Sequence, residues 1–187
     1  MQELRITGGY LRSRKITFHS ADTLRPTLSK AREAVFNVLN GYLDFQSSSF
    51  LDMFAGSGIM SFEAISRGFE KVFAIEQNPK TAQKIKENAK ILSVGLTLVN
   101  GKVPSILGST MLSGVKYSVI YIDPPYQADL YEKTIETVIK KEILANDGVL
   151  VLESDHQIEN LPNTLYIDKQ KVYSGKFFSF VKKCKEN

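Results

Sequence analysis

The sequence predicts an α/β protein of three layers, helix–sheet–helix, around a mostly parallel seven-stranded sheet that ends in an antiparallel hairpin. Three observations predict it. Between residues 50 and 152, short apolar runs of strand length alternate with amphipathic runs of helix length. That alternation implies parallel strands joined by right-handed crossovers. Beyond it, two strand-like runs flank Ser174-Gly175, which reads as an antiparallel pair. The 187 residues are 43% hydrophobic and 24% charged, enough for one substantial core and close to globular averages.

The elements follow in chain order. Residues 4–7 and Lys15–Phe18 read as a short hairpin. It turns at Gly8 and Gly9 and carries a basic stretch with Arg12, Arg14 and Lys15. Arg25-Pro26-Thr27 then opens a helix, with Thr27 as the expected N-cap and Ala31, Val35, Val38 and Leu39 as its apolar face. Residues 1–46 therefore read as an N-terminal hairpin-and-helix extension on a main unit over 47–187, although the whole can be counted as one domain. The main unit begins with a strand over 50–54, a small-residue turn and a helical pattern up to Arg67. A second strand covers 71–75 and ends at Glu76. Pro79 opens a helix to about Leu92, and a third strand covers 96–99. Tyr117–Ile122 is the fourth strand, followed by Asp123-Pro124-Pro125-Tyr126 and a helix over 130–141. The fifth strand covers 148–152, and 164–172 with 176–182 form the terminal pair.

Composition narrows the functional classes. No apolar run approaches the roughly 20 residues of a membrane helix, and residues 1–15 contain no signal-type apolar segment. The single cysteine, Cys184, excludes an internal disulfide and a cysteine zinc cage. His19 and His156 match no metal-ligand spacing. A cytoplasmic, metal-free, monomeric protein without membrane contact is expected. The net charge of +4 is unevenly placed. Residues 1–50 hold seven Lys/Arg against four Asp/Glu, and residues 169–187 hold six against one. Basic flanks of this kind attract phosphate.

The first informative segment is Asp52-Met53-Phe54-Ala55-Gly56-Ser57-Gly58, a strand end and tight turn into a helix. Glycine lets a backbone approach a ligand closely. A helix N-terminus offers N–H groups to a carboxylate or phosphate. Glu76 closes the next strand, where an acid can accept both hydroxyls of a ribose. Ser61 stands where a dinucleotide fingerprint needs its third glycine, and no Gly-Lys-Ser/Thr follows. The pair fits a nucleoside-bearing cofactor of another kind.

The second segment is Asp123-Pro124-Pro125-Tyr126, directly after a buried central strand. Two prolines end sheet pairing and stiffen the loop. They hold the Asp123 carboxylate and the Pro124 carbonyl at the sheet's carboxyl edge. Two such acceptors can take both N–H bonds of an exocyclic amine and localise its lone pair for attack. Tyr126 can stack on an extruded base.

These residues together resemble an S-adenosylmethionine-dependent amino methyltransferase of the class I, Rossmann-like fold. The N-terminal segments Arg5-Ile6-Thr7-Gly8-Gly9, Arg12 to Lys15, Arg25-Pro26-Thr27 and Arg32-Glu33-x-x-Phe36-Asn37 narrow the likeness. Together with Glu153-Ser154, they resemble the bacterial 16S ribosomal RNA guanine-N2 methyltransferase family. The likeness is collinear over nearly the whole chain.

The resemblance implies S-adenosylmethionine as cofactor, S-adenosylhomocysteine as product and no metal. It places Asp52, Ala55, Gly56, Ser57, Gly58, Glu76, Gln77 and Asn100 around the cofactor, with Asp52 near the methionine amino group. It assigns Asp123, Pro124 and Tyr126 to the reacting amine. Asp123, with an ordinary carboxylate pKa, would be a weak base. Arg12, Arg14, Lys15, Arg25, Lys30 and Arg32 are expected to hold phosphates of 16S rRNA within the small ribosomal subunit. Relatives carry Asp or Asn after the third strand to read adenine. Here the segment is Asn100-Gly101-Lys102-Val103, and Lys102 cannot accept a hydrogen bond. Asn100 or the backbone takes that role, or the contact is missing. The competing readings are a DNA adenine-N6 methyltransferase, a protein-glutamine methyltransferase and a non-catalytic RNA-binding assembly factor.

Overall fold

The computed structural model describes residues 1–19, 27–112, 114–125 and 128–185. The strands β1 (Gln2–Arg5) and β2 (Lys15–Phe18) form an antiparallel two-stranded sheet. Helix α1 (Ser29–Leu39) follows. The main sheet contains β3 (Ser49–Asp52), β4 (Lys71–Glu76), β5 (Thr97–Asn100), β6 (Tyr117–Ile122), β7 (Leu144–Ser154), β8 (Leu165–Tyr173) and β9 (Lys176–Lys183). Helices α2 (Ile59–Ser66), α3 (Pro79–Leu92) and α4 (Ala128–Lys140) join the parallel strands. The strand order is β5-β4-β3-β6-β7-β9-β8, with β9 antiparallel to both neighbours and the first five strands mutually parallel. The predicted three-layer architecture and its terminal hairpin are what the chain adopts.

Strand periodicity places the core. Phe50, Val72, Val119 and Val151 face one side, against α1, α2 and α3. Leu51, Phe73, Ile120 and Leu150 face the other, against Ile135 and Val138 of α4. Side chains alternate across a strand, and a parallel sheet covered on both faces needs apolar residues at both phases. The winding direction reverses between β3 and β6. In open α/β sheets the crevice at such a switch point, at the carboxyl ends of the strands, receives ligands.

The N-terminal hairpin buries Ile6, Leu11 and Ile16 in the core and is anchored by polar groups as well. The Asn88 side chain on α3 accepts from Thr17 N at 3.1 Å and donates to Thr17 O at 2.8 Å. At the turn, Tyr10 N donates to Ser66 O at 2.8 Å, and Leu11 N donates to Ser66 Oγ at 2.9 Å. Gly9 has φ +74°, and a Cβ there would lie 1.7 Å from Ser66 O. Glycine is needed for the turn and for its contact with the end of α2.

Helix α1 begins differently from the sequence expectation. Its N-cap is Leu28, with no side-chain cap. Thr27 is 5% exposed, and its hydroxyl donates to Glu153 Oε2 at 2.7 Å. The hydroxyl is turned to a buried carboxylate, a charged and therefore strong acceptor, instead of to the helix's first amides. Arg25, Pro26 and Tyr126 lie outside the described residues.

Candidate active site

A cavity of about 490 Å³ opens at the carboxyl edge of the parallel strands, across the switch point between β3 and β6. Four acids stand at that edge because four strands end there. Asp52 closes β3, Glu76 closes β4, Asp123 follows β6, and Glu153 lies one residue before the end of β7. All four line the cavity.

On the β3–β4 side, the turn over 55–58 folds against Glu76. Gly56 N donates to Glu76 Oε2 at 2.8 Å, and Asn78 N donates to Glu76 Oε1 at 2.7 Å. Gly58 N donates back to Ala55 O at 2.6 Å. These amides are spent internally, so the turn offers close approach more than free donors. Gly58 is the left-handed N-cap of α2. Burial raises the Glu76 carboxyl, opposed by the amides of Asn78 and Gly56. Asp52 is 1% exposed and accepts from Ser61 Oγ at 2.7 Å. Burial pushes it up to about 7, the Ser61 hydroxyl opposes this, and the nearby Glu76 charge adds to it.

On the β6–β7 side, Asp123 is half-buried with Pro124 beside it on the cavity wall. Burial, then the charge of Glu153, raise the Asp123 carboxyl, while Lys176 opposes them. The ordinary pKa expected from sequence is therefore corrected: the carboxyl sits well above the usual range because its surroundings are poorly solvated and acidic. Glu153 is fully buried and accepts from Thr27 and from the Tyr121 hydroxyl. Lys176 donates to its other oxygen at 2.5 Å.

The structure gathers Asp52, Ala55, Gly56, Ser57, Glu76, Gln77, Asp123 and Pro124 around one cavity. It does not bring Gly58 or Asn100 into that lining. The Asn100 side-chain amide donates to Glu76 O at 2.7 Å and to Gln77 O at 3.2 Å, bracing the end of β4. Gly101 and Val103 line the wall next to it, and Lys102 is exposed.

The basic residues divide. Arg12, Arg14, Lys15 and Lys30 are exposed. Lys15 pairs with Glu3 at 2.5 Å, with both side chains substantially exposed. Arg32 is corrected: it is 1% exposed, and its guanidinium donates to Glu63, to the Thr27 and Arg5 carbonyls and to Ser29 Oγ. Its donors face inward on a buried carboxylate, so it fastens the N-terminal extension and has no access to phosphate.

Sequence reasoning did not single out Thr27, Tyr121 or Lys176 as members of this site. Tyr121 carried one usable signal, a phenol at a core-facing position near the carboxyl end of an apolar strand. Lys176 carried none, since it sits among the lysines of the chain's basic end.

A family model described as "Conserved hypothetical protein 95" matches residues 4–182. Ribosomal RNA small subunit methyltransferase D of Buchnera aphidicola subsp. Acyrthosiphon pisum is 33% identical over 171 residues, covering 89% of this chain and 86% of that protein. The protein of the same name from Escherichia coli (strain K12) is 30% identical over 173 residues, covering 91% and 85%. The solved structure of yhhF from Escherichia coli is similar with a TM-score of 0.86 at 26% identity, covering 97% of this chain and 98% of that one.

Proposed function

The chain belongs to the family described as Conserved hypothetical protein 95, and from that premise we propose that it methylates ribosomal RNA with S-adenosylmethionine, at the exocyclic N2 of a guanine in 16S rRNA of the small subunit. One observation carries the reading. The Asp123-Pro124 acceptors and the Glu76-glycine turn open into a single cavity at the β3/β6 switch point. Relatives named ribosomal RNA small subunit methyltransferase D match most of the chain and support the substrate class.

The residues present fit the cofactor by their chemistry. The cavity wall is acidic, which suits a ligand bearing an ammonium and a sulfonium. Glu76 keeps lone pairs toward the cavity for ribose hydroxyls. Asp52 would face the ammonium, and Ile75 and Val103 offer apolar surface to a base. When bound, S-adenosylmethionine supplies an electrophilic methyl group.

The chain's own part is alignment and proton handling. Asp123 and the Pro124 carbonyl accept from the two N–H groups of the guanine amine and turn its lone pair toward the methyl. After attack the nitrogen is strongly acidic, and Asp123, with its raised pKa, takes the proton directly or through water. Arg12, Arg14 and Lys30 would hold phosphates while the cavity reads the base.

The test is methyl transfer from labelled cofactor to small subunits lacking the modification, to naked small-subunit RNA and to duplex DNA, followed by nucleoside analysis. N2-methylguanosine from subunit or RNA is expected, and Asp123→Ala should abolish it while leaving cofactor binding within about twofold. N6-methyladenine from DNA would overturn the substrate assignment. Unchanged transfer in the Asp123 variant would overturn the role of that residue.

A further inference from the structure

The acceptor side of the cavity holds a cation that neither the motifs nor the mechanism above uses. Lys176 begins β9, and β9 runs antiparallel to β7 with Glu153 opposite Phe178 and Ser154 opposite Phe177. The start of β9 therefore lies at the edge where the parallel strands end. Lys176 Nζ is 2.5 Å from Glu153 Oε1 and 4.0 Å from Asp123 Oδ1, with 27% of its side chain exposed. Among the described residues lining the cavity it is the only Lys or Arg.

Its anchor is rigid. Glu153 is fully buried, and Thr27 and Tyr121 donate to its second oxygen. Its backbone carbonyl accepts from the Tyr131 hydroxyl. Strands β6, β7 and β9, helix α4 and the segment before α1 thus converge on one residue.

The charges facing Asp123 are Glu153 from β7, Lys176 from β9 and Asp52 from β3. Neighbouring carboxylates resist ionising together. A cation beside Asp123 favours its ionised form. A protonated Asp123 would lose one of the acceptors that orient an amine.

We propose that Lys176 is a positioning residue for methyl transfer: pinned by Glu153, its ammonium favours the ionised form of Asp123 and fixes the carboxylate toward the acceptor amine. The catalytic part of this inference rests on the function proposed above; the charge coupling does not.

The experiment follows the Asp123 carboxyl resonance by NMR titration in wild type, K176M, K176R and the double variant K176M/E153Q. In K176M the Asp123 midpoint should rise by about one pH unit or more. In K176R it should stay near wild type, because the cation remains. In the double variant it should fall below that of K176M, because the opposing carboxylate has gone; this variant leaves no buried unpaired charge and so keeps the test alive where K176M folds poorly. A midpoint in K176M unchanged from wild type, or one in the double variant no lower than in K176M, would overturn the proposal. In methyl transfer, the acid limb of the kcat profile should move to higher pH in K176M, with cofactor Kd within about twofold and recovery in K176R. An equal loss at every pH would mean a merely structural role and would overturn it. Shifted resonances in a protein that methylates no RNA would uphold the coupling and sink the functional reading instead.

Discussion

Arg32 Nε donates to Glu63 Oε1 at 3.0 Å, with the two side chains 1% and 0% exposed. The same carboxylate accepts from Thr7 N at 2.8 Å and pairs with Arg67. One buried acid therefore joins α1, α2 and the N-terminal hairpin. Arg32 also donates to Arg5 O at 2.7 Å. Its removal strands part of a buried charge and unties the hairpin together.

Arg32→Met should cost about 3 kcal/mol, in the range found when one partner of a buried ion pair is removed. Arg12→Met should stay within about 0.5 kcal/mol, as exposed substitutions do. Urea unfolding of both variants checks this. Equal stabilities would show that Arg32 is not the fastening described.

Two glycines separate space from backbone conformation. Gly9 (φ +74°) has Ser66 O in the way of a Cβ, whereas Gly175 (φ +80°) has nothing within 4 Å. Gly175→Ala should lose about 1 kcal/mol, the cost of a left-handed non-glycine residue. Gly9→Ala should lose about 3 kcal/mol or more, because the clash is with backbone. Denaturant midpoints of the two variants provide the comparison.

The raised Asp52 carboxyl has a consequence for stability. Its folded pKa is pushed up to about 7, by burial first, against about 3.9 for an unfolded aspartate. Between those values the native state binds the proton and the unfolded chain does not. Stability should therefore fall as pH rises from about 4 to about 7, by up to ~1.4 kcal/mol per pH unit from this group. Asp52→Asn, which preserves an acceptor for Ser61, should flatten that slope. Unfolding free energies at pH 4.5, 5.5 and 6.5 test it; parallel slopes in the two proteins would refute the assignment.

The exposed arginines of the hairpin turn have a different signature. If Arg12 and Arg14 each hold one phosphate, their joint replacement by alanine should weaken RNA binding across sequences. It should also flatten log Kd against log salt by about 1.4 on single-stranded RNA. Arg32→Met, provided the variant is folded, should leave that slope unchanged. Binding titrations between 50 and 200 mM salt give the slopes directly.

The sequence by itself determined the layer order, the strand and helix sequence, and the acids Asp52, Glu76 and Asp123 at the strand ends. These are local properties. Apolar period reports whether a segment is strand or helix, and a strand's last residues lie at the sheet edge whatever else the chain does. Tertiary structure alone decided which charges meet. Arg32 looked like the other arginines of a basic flank until α1 docked over Glu63. Thr27 looked like a cap, yet its hydroxyl found Glu153, 126 positions along the chain. Lys176 looked like one lysine of a basic end, yet the antiparallel return of β9 set it between Glu153 and Asp123. The physical reason is that a buried polar group must be paired. The partner that pairs it is chosen by strand register and element docking, which no local pattern records.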